Sequence, residues 1–157
     1  MNYKVTYKPK IGYTPLCEKG KSSFQNLEFG IIELNAGDQI CFETKHREAA
    51  FILLCGKAVF NYDQVSVSLG IRKSVFSSDT EALYLPHNKT VHIFTDWYVK
   101  IAVCMTPCEE DGQPAIIRPK DYPILTLGQL NWTRKTSFII DERVSKHLSH
   151  FHPVPAT

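Results

Sequence analysis

Gly37-Asp-Gln-Ile-Cys-Phe-Glu-Thr-Lys-His-Arg-Glu-Ala-Ala-Phe-Ile-Leu-Leu-Cys-Gly56 is the stretch on which the fold turns. Two glycines bracket an alternating run, then a polar patch, then a solid apolar run. Over residues 39–45, Ile40, Phe42 and Thr44 alternate with Cys41, Glu43 and Lys45, the period-two signature of a strand with one buried face. Residues 50–55, Ala-Phe-Ile-Leu-Leu-Cys, are apolar on both faces, which predicts a short buried strand closed by Gly56-Lys57.

The same period continues outward. Residues 26–34 read as a strand that ends at the turn Asn35-Ala36-Gly37-Asp38. Val65, Val67 and Leu69 alternate with Gln64, Ser66 and Ser68. Residues 81–86 and 91–94 flank a turn at Asn88-Lys89-Thr90, and Trp97, Val99, Ile101, Val103 and Met105 share one face. Roughly seven or eight such strands, with almost no helical periodicity, predict an all-β, cupin-type jelly-roll barrel.

Past Thr106 the character changes. Residues 107–141 carry prolines, glycines and only short apolar groups, an arm or linker expected to lie outside the barrel and to end in one strand at Ser-Phe-Ile-Ile-Asp (137–141). The predicted organisation is a metal-free barrel over 1–106, the arm over 107–141, and a mobile tail over 142–157 where a second cupin would begin.

Composition narrows the class. The chain has 157 residues, enough for one domain, with a formal charge of +2 and no Lys/Arg run longer than two, so no nucleic-acid footprint is expected. Five cysteines are an odd, irregularly spaced set, read as reduced thiols, and Cys104 with Cys108 is too loosely spaced for a metal pair. Residues 1–10 lack the apolar core of a secretory signal, and no apolar run reaches membrane-spanning length. A cytoplasmic protein without membrane partners is expected.

The opening stretch also fits a known metal frame. Cupin barrels use G-x5-H-x-H-x3-E-x6-G followed by P-x-G-x2-H, where the paired histidines point the same way from a strand. Here Gly37 opens and Gly56 closes the frame, Glu43 and Lys45 stand at the histidine positions, and Ala49 replaces the glutamate. Pro86 matches, Asn88 replaces the glycine as a residue that tolerates positive φ, and Val91 stands where the last histidine belongs. His92 comes one residue late and should face the opposite way. The frame is kept without its ligands, so no metal is expected in this barrel.

Five segments resemble the amino-terminal half of the 5-deoxy-glucuronate isomerase family, relatives of the 5-keto-4-deoxyuronate isomerases. These are LEFGIIELNAGD (27–38), REAAFILLCGKAVF (47–60), LYLPHNKTVHIF (83–94), KIAVCMTPCEE (100–110) and LNWTRKTSFIID (130–141). The resemblance covers about residues 3–147. It implies a two-barrel protein of inositol and carbohydrate catabolism that interconverts an aldehyde sugar acid and its ketose. It also implies a divalent metal held only in the second barrel, by a histidine-rich run absent here. No metal ligand or catalytic residue is carried over, and this chain taken alone is expected to be inactive.

The remaining candidates are contacts to a small sugar acid. Glu43 and Lys45 share a face and are expected to point into the barrel, with Lys45 meeting a carboxylate or Glu43 acting as a base of raised pKa, or else as a polar plug at its mouth. Tyr84 and His92 complete the substrate-binding set, although His92 also fits an ordinary outer-face histidine. His46 is expected in solvent, His147, His150 and His152 in the tail, and Trp97 and Trp132 packed. Three roles follow: a scaffold that orients a catalytic barrel, a stand-alone sugar-acid cupin, or an assembly module. A homo-oligomer is expected in each, because a lone barrel leaves sheet edges and an apolar outer face.

Overall fold

The computed structural model describes residues 5–20, 24 and 26–141. The chain alternates strands with connecting turns: β1 (Gly12–Cys17), β2 (Glu28–Leu34), β3 (Gln39–Glu43), β4 (Arg47–Tyr62), β5 (Val65–Arg72), β6 (Ala82–Leu85), β7 (Thr90–Phe94) and β8 (Val99–Pro107). The arm adds β9 (Ala115–Ile117), β10 (Ile124–Leu127) and β11 (Arg134–Ser137). The first sheet runs β1-β2-β8-β4-β6-β9, and the second runs β3-β7-β4-β5, with every pairing antiparallel. This is the expected cupin-type jelly roll, with β1 and β9 added at its margins.

The apolar run at 50–55 is not a short strand. It is the first part of β4, which passes through Gly56 and leaves one sheet for the other. Residues 47–55 pair with β8, and residues 56–62 pair with β5 across a register shift at Gly56. Gly56 has φ of 89° there, and a Cβ on it would lie 2.2 Å from the Tyr98 carbonyl oxygen. Only glycine lets the strand turn this corner against β8.

Between the sheets lies a filled core. Ile32, Leu34, Phe51, Phe60, Leu83, Val91, Ile93, Ile101 and Met105 are almost wholly buried in it. Tyr13, Phe42, Phe51 and Phe60 form a chain of edge-to-face rings with centroids 5.1, 5.4 and 6.0 Å apart, an arrangement aromatic quadrupoles favour. Burial pushes the Tyr13 hydroxyl up to about 12, opposed by the Arg47 guanidinium.

The 107–141 arm packs on the outer face of the first sheet rather than hanging free. β9 pairs with β6, Arg118 bridges Glu81 at 2.5 Å, and the Tyr122 hydroxyl donates to the Thr80 carbonyl at 2.8 Å. Ala50, Ala82, Tyr84, Ile117 and Tyr122 form a second apolar cluster there, joined by Ile139 and Ile140. The strand expected at 137–141 lies earlier, because β11 pairs with β10 as a hairpin ending at Ser137. The two tryptophans expected to pack are both exposed, Trp97 in the turn before β8 and Trp132 at the hairpin tip. His147, His150, His152 and the 142–157 tail lie outside the described residues.

Candidate functional site

The inward direction in β3 is the reverse of the one the metal frame implied. Phe42 and Thr44 are buried, while Glu43 is exposed on the outer wall of the second sheet and Lys45 is exposed in the turn that follows, at φ of 54°. Side chains alternate faces along a strand, so either set could have been inside, and burial of Phe42 against Phe51 and Tyr13 decides it. Glu43 and Lys45 are therefore neither a buried ion pair nor a plug in the barrel. His92 also faces outward, as its late position implied, with Val91 and Ile93 inside.

The interior positions of the frame are thus Phe42, Thr44, Ala49 and Val91, all buried. Thr44 spends its hydroxyl on the chain: it donates to the Pro86 carbonyl at 3.0 Å and accepts the Lys89 N–H at 2.8 Å. The other three side chains offer no donor atom to a cation, which requires several nitrogen, oxygen or thiolate ligands. Among the described residues no group of three or more His, Cys, Asp or Glu is placed to hold a metal ion. Asn88 holds φ of 55°, the left-handed turn its glycine-like position called for.

Tyr84 is separated from the other three candidates. It faces outward on the first sheet, 4% exposed beneath the arm, and its hydroxyl donates to the buried Glu48 carboxylate at 2.6 Å. Cys104 faces the same way, in register with Ala50, and burial pushes its thiol up to about 11. On native protein at pH 8, Cys104 should alkylate roughly a hundredfold more slowly than the exposed Cys41, because only the thiolate reacts. Equal labelling rates in a peptide-resolved mass spectrum would mean that the arm does not cover this face.

Two of the four expected residues, Glu43 and His92, do share one surface, while Lys45 lies in the turn after β3. On the outer wall of the second sheet, Cys41 pairs with His92, His92 with Asn61, and Asn61 with Ser66, while Glu43 pairs with Thr90. Next to this row lies a groove of about 560 Å³ lined by Asn61, Gln64, Ser66, Asn88, Thr90 and His92 among others. The ion pair of Lys89 with Asp63 ties its two walls, and the Asn88 N–H donates to the Lys45 carbonyl at 2.6 Å. Asn61, Ser66 and Thr90 were not singled out from the sequence. Their one signal was the set of polar positions alternating with apolar ones where β4 turns into β5 and along β7.

Residues 10–150 match the KduI/IolB family. The chain belongs to that family.

Curated relatives of this KduI/IolB chain include the 5-deoxy-glucuronate isomerase of Bacillus velezensis, 26% identical over 111 residues. That match covers 69% of this chain and 41% of the relative. The 5-deoxy-glucuronate isomerase of Bacillus subtilis strain 168 is 24% identical over 77% of this chain and 45% of its own length. The chain thus spans under half the length of these relatives, and it is related to carbohydrate isomerases. An IolB-like protein from Salmonella typhimurium LT2 superimposes with a TM-score of 0.81 at 20% identity. That superposition covers 87% of this chain and 53% of the other, and it confirms the fold. No described helix is long and apolar enough to cross a membrane.

Proposed function

We propose that this chain is the scaffolding, metal-free cupin of a 5-deoxy-glucuronate isomerase-like activity, orienting a catalytic barrel and its sugar-acid substrate. One observation carries the reading: the interior positions of the cupin frame hold Phe42, Thr44, Ala49 and Val91 inside a filled apolar core. A divalent metal does not fit that donor set. Isomerisation moves a proton between adjacent carbons while the carbonyl is polarised, and neither an inward-facing base nor a polarising group is present at those positions. What the barrel retains is a rigid shape and its outer surfaces.

A scaffold needs a surface to hand over, and the β10–β11 hairpin supports that part. Leu130 is 93% and Trp132 77% exposed at its tip, with Ile124 and Leu125 also exposed. An isolated two-stranded hairpin is marginal in water, so such a tip favours a covering partner. When the chain is alone, copies of it are expected to associate through this element.

The test uses purified, tag-free chain. Elemental analysis should find far less than one divalent metal per chain, and no turnover of 5-deoxy-glucuronate with added zinc, manganese or iron. Sedimentation at high micromolar concentration should show an oligomer that Leu130→Ser with Trp132→Ser dissociates. Stoichiometric metal with turnover would overturn the scaffold reading, and a strict monomer would remove the association surface.

A further inference from the structure

The groove on the outer wall of the second sheet has its own chemistry, independent of the barrel interior. Its lining includes three amides (Asn61, Gln64, Asn88), two hydroxyls (Ser66, Thr90) and one imidazole (His92), beside Tyr62, Val65 and the carboxylate of Asp63. Each of these amides and hydroxyls, and the neutral imidazole, can both donate and accept a hydrogen bond. Among the described residues, Asn61, Gln64, Ser66, Thr90 and His92 make no side-chain hydrogen bond to the protein. By contrast, Thr44, Thr80, Thr95 and Thr106 each donate a hydroxyl to a backbone carbonyl. Those threonines are buried, whereas the groove side chains are open to partners outside the chain.

Its geometry is also set in advance. Ser66, Asn61 and His92 occupy directly opposed positions on three neighbouring strands, so these polar groups repeat at about the 4.8 Å strand spacing. Hydroxyls on opposite edges of a six-membered sugar ring are separated by a similar distance. The 86–90 turn that forms the far wall is fixed from three sides. Thr44 bonds it, the Asn88 N–H bonds Lys45, and the Lys89 ammonium pairs with Asp63. A fixed wall lowers the ordering cost of binding. That ion pair also offsets the charge of Asp63, the one carboxylate among the lining residues, which leaves mainly hydroxyl recognition.

We propose that this groove binds the hydroxyl face of a monosaccharide, through Asn61, Ser66, Thr90 and His92. It gives the scaffold an outer-wall carbohydrate contact, and it rests on the proposed function for the choice of ligand but not for the existence of the site. Because the recognition is through hydroxyls, a neutral sugar and its uronic acid should bind alike.

The experiment is a nitrogen-15 correlation titration of the whole chain with D-glucose and, separately, with D-glucuronate. Both sugars should shift the signals of residues 61–66 and 88–92 saturably, with Kd on the order of 1–10 mM and equal within about threefold. Asn61→Val with Thr90→Val should weaken both at least about tenfold while keeping a dispersed spectrum. Should that double variant misfold, Ser66→Ala on the edge strand reads the same loss. Absence of saturable shifts, shifts mapping elsewhere, or undiminished binding by the folded variant would overturn the site. Binding of glucuronate without glucose would overturn hydroxyl recognition. Metal content and turnover are untouched by any of these outcomes, so failure here is distinguishable from failure of the scaffold reading.

Discussion

Replacing Phe51 with alanine is expected to lower the unfolding free energy by about 3–5 kcal/mol, the cost of emptying a large aromatic site in a packed core. Phe51 is 0% exposed and links two neighbours edge to face, Phe42 at 5.4 Å and Phe60 at 6.0 Å. Its loss removes both ring contacts and leaves a void between two hydrogen-bonded sheets that resist collapse. Urea denaturation followed by tryptophan fluorescence would measure it. For a chain of this size the midpoint of thermal unfolding should fall by roughly 10 °C. A loss below about 1.5 kcal/mol would show that the interior is loosely filled. The scaffold reading would then lose its main support, since a loosely filled barrel has room for a ligand.

Gly56→Ala should be nearly as damaging, at about 3 kcal/mol or more, for a different reason. The new methyl group would sit 2.2 Å from the Tyr98 carbonyl oxygen and 2.8 Å from the Val99 Cα, on a backbone at φ of 89°. Both obstacles are backbone atoms of the neighbouring strand, so neither can rotate away. Gly37→Ala is the control. Gly37 has a similar φ of 88° but nothing within 4 Å of its would-be Cβ, so only the conformational penalty of about 1 kcal/mol remains. Equal effects at the two glycines in a denaturant titration would mean that β4 does not turn its corner against β8.

Both predictions rest on features the sequence displayed in part. The alternation of Ile40, Phe42 and Thr44 with Cys41, Glu43 and Lys45 was plain, and so was the glycine pair that frames it. Reading Glu43 and Lys45 as inward followed the cupin spacing rather than the chemistry of the side chains. A strand shifted by one residue reverses every face, and the apolar set was always the cheaper one to bury. The metal frame located the right strands and misjudged their facing. Val91 and His92 escaped that error, since the same template left the apolar residue inside.

Tyr84 and the tryptophans were harder. Whether a strand's outer face meets water depends on what crosses it, and the arm that covers Tyr84 begins more than twenty residues later. Its segments 115–117 and 139–140 are too short to announce their destination. Trp97 and Trp132 carry large apolar surfaces that composition assigns to a core, yet Trp97 sits in the turn between β7 and β8 and Trp132 in the turn between β10 and β11, both open to solvent.

By itself, the sequence determined the all-β class, the jelly-roll frame, the absence of the usual ligand residues from that frame, and the family. These depend on local period, glycine and proline placement, and residue identity, all of which are written along the chain. Only the tertiary structure decided that Phe42 and Thr44 face inward, that the arm adds a strand and buries Tyr84, and that Ser66, Asn61 and His92 form one polar row. Those facts arise from pairings between residues far apart in the chain, set by the energy of filling one core and satisfying every strand's hydrogen bonds together.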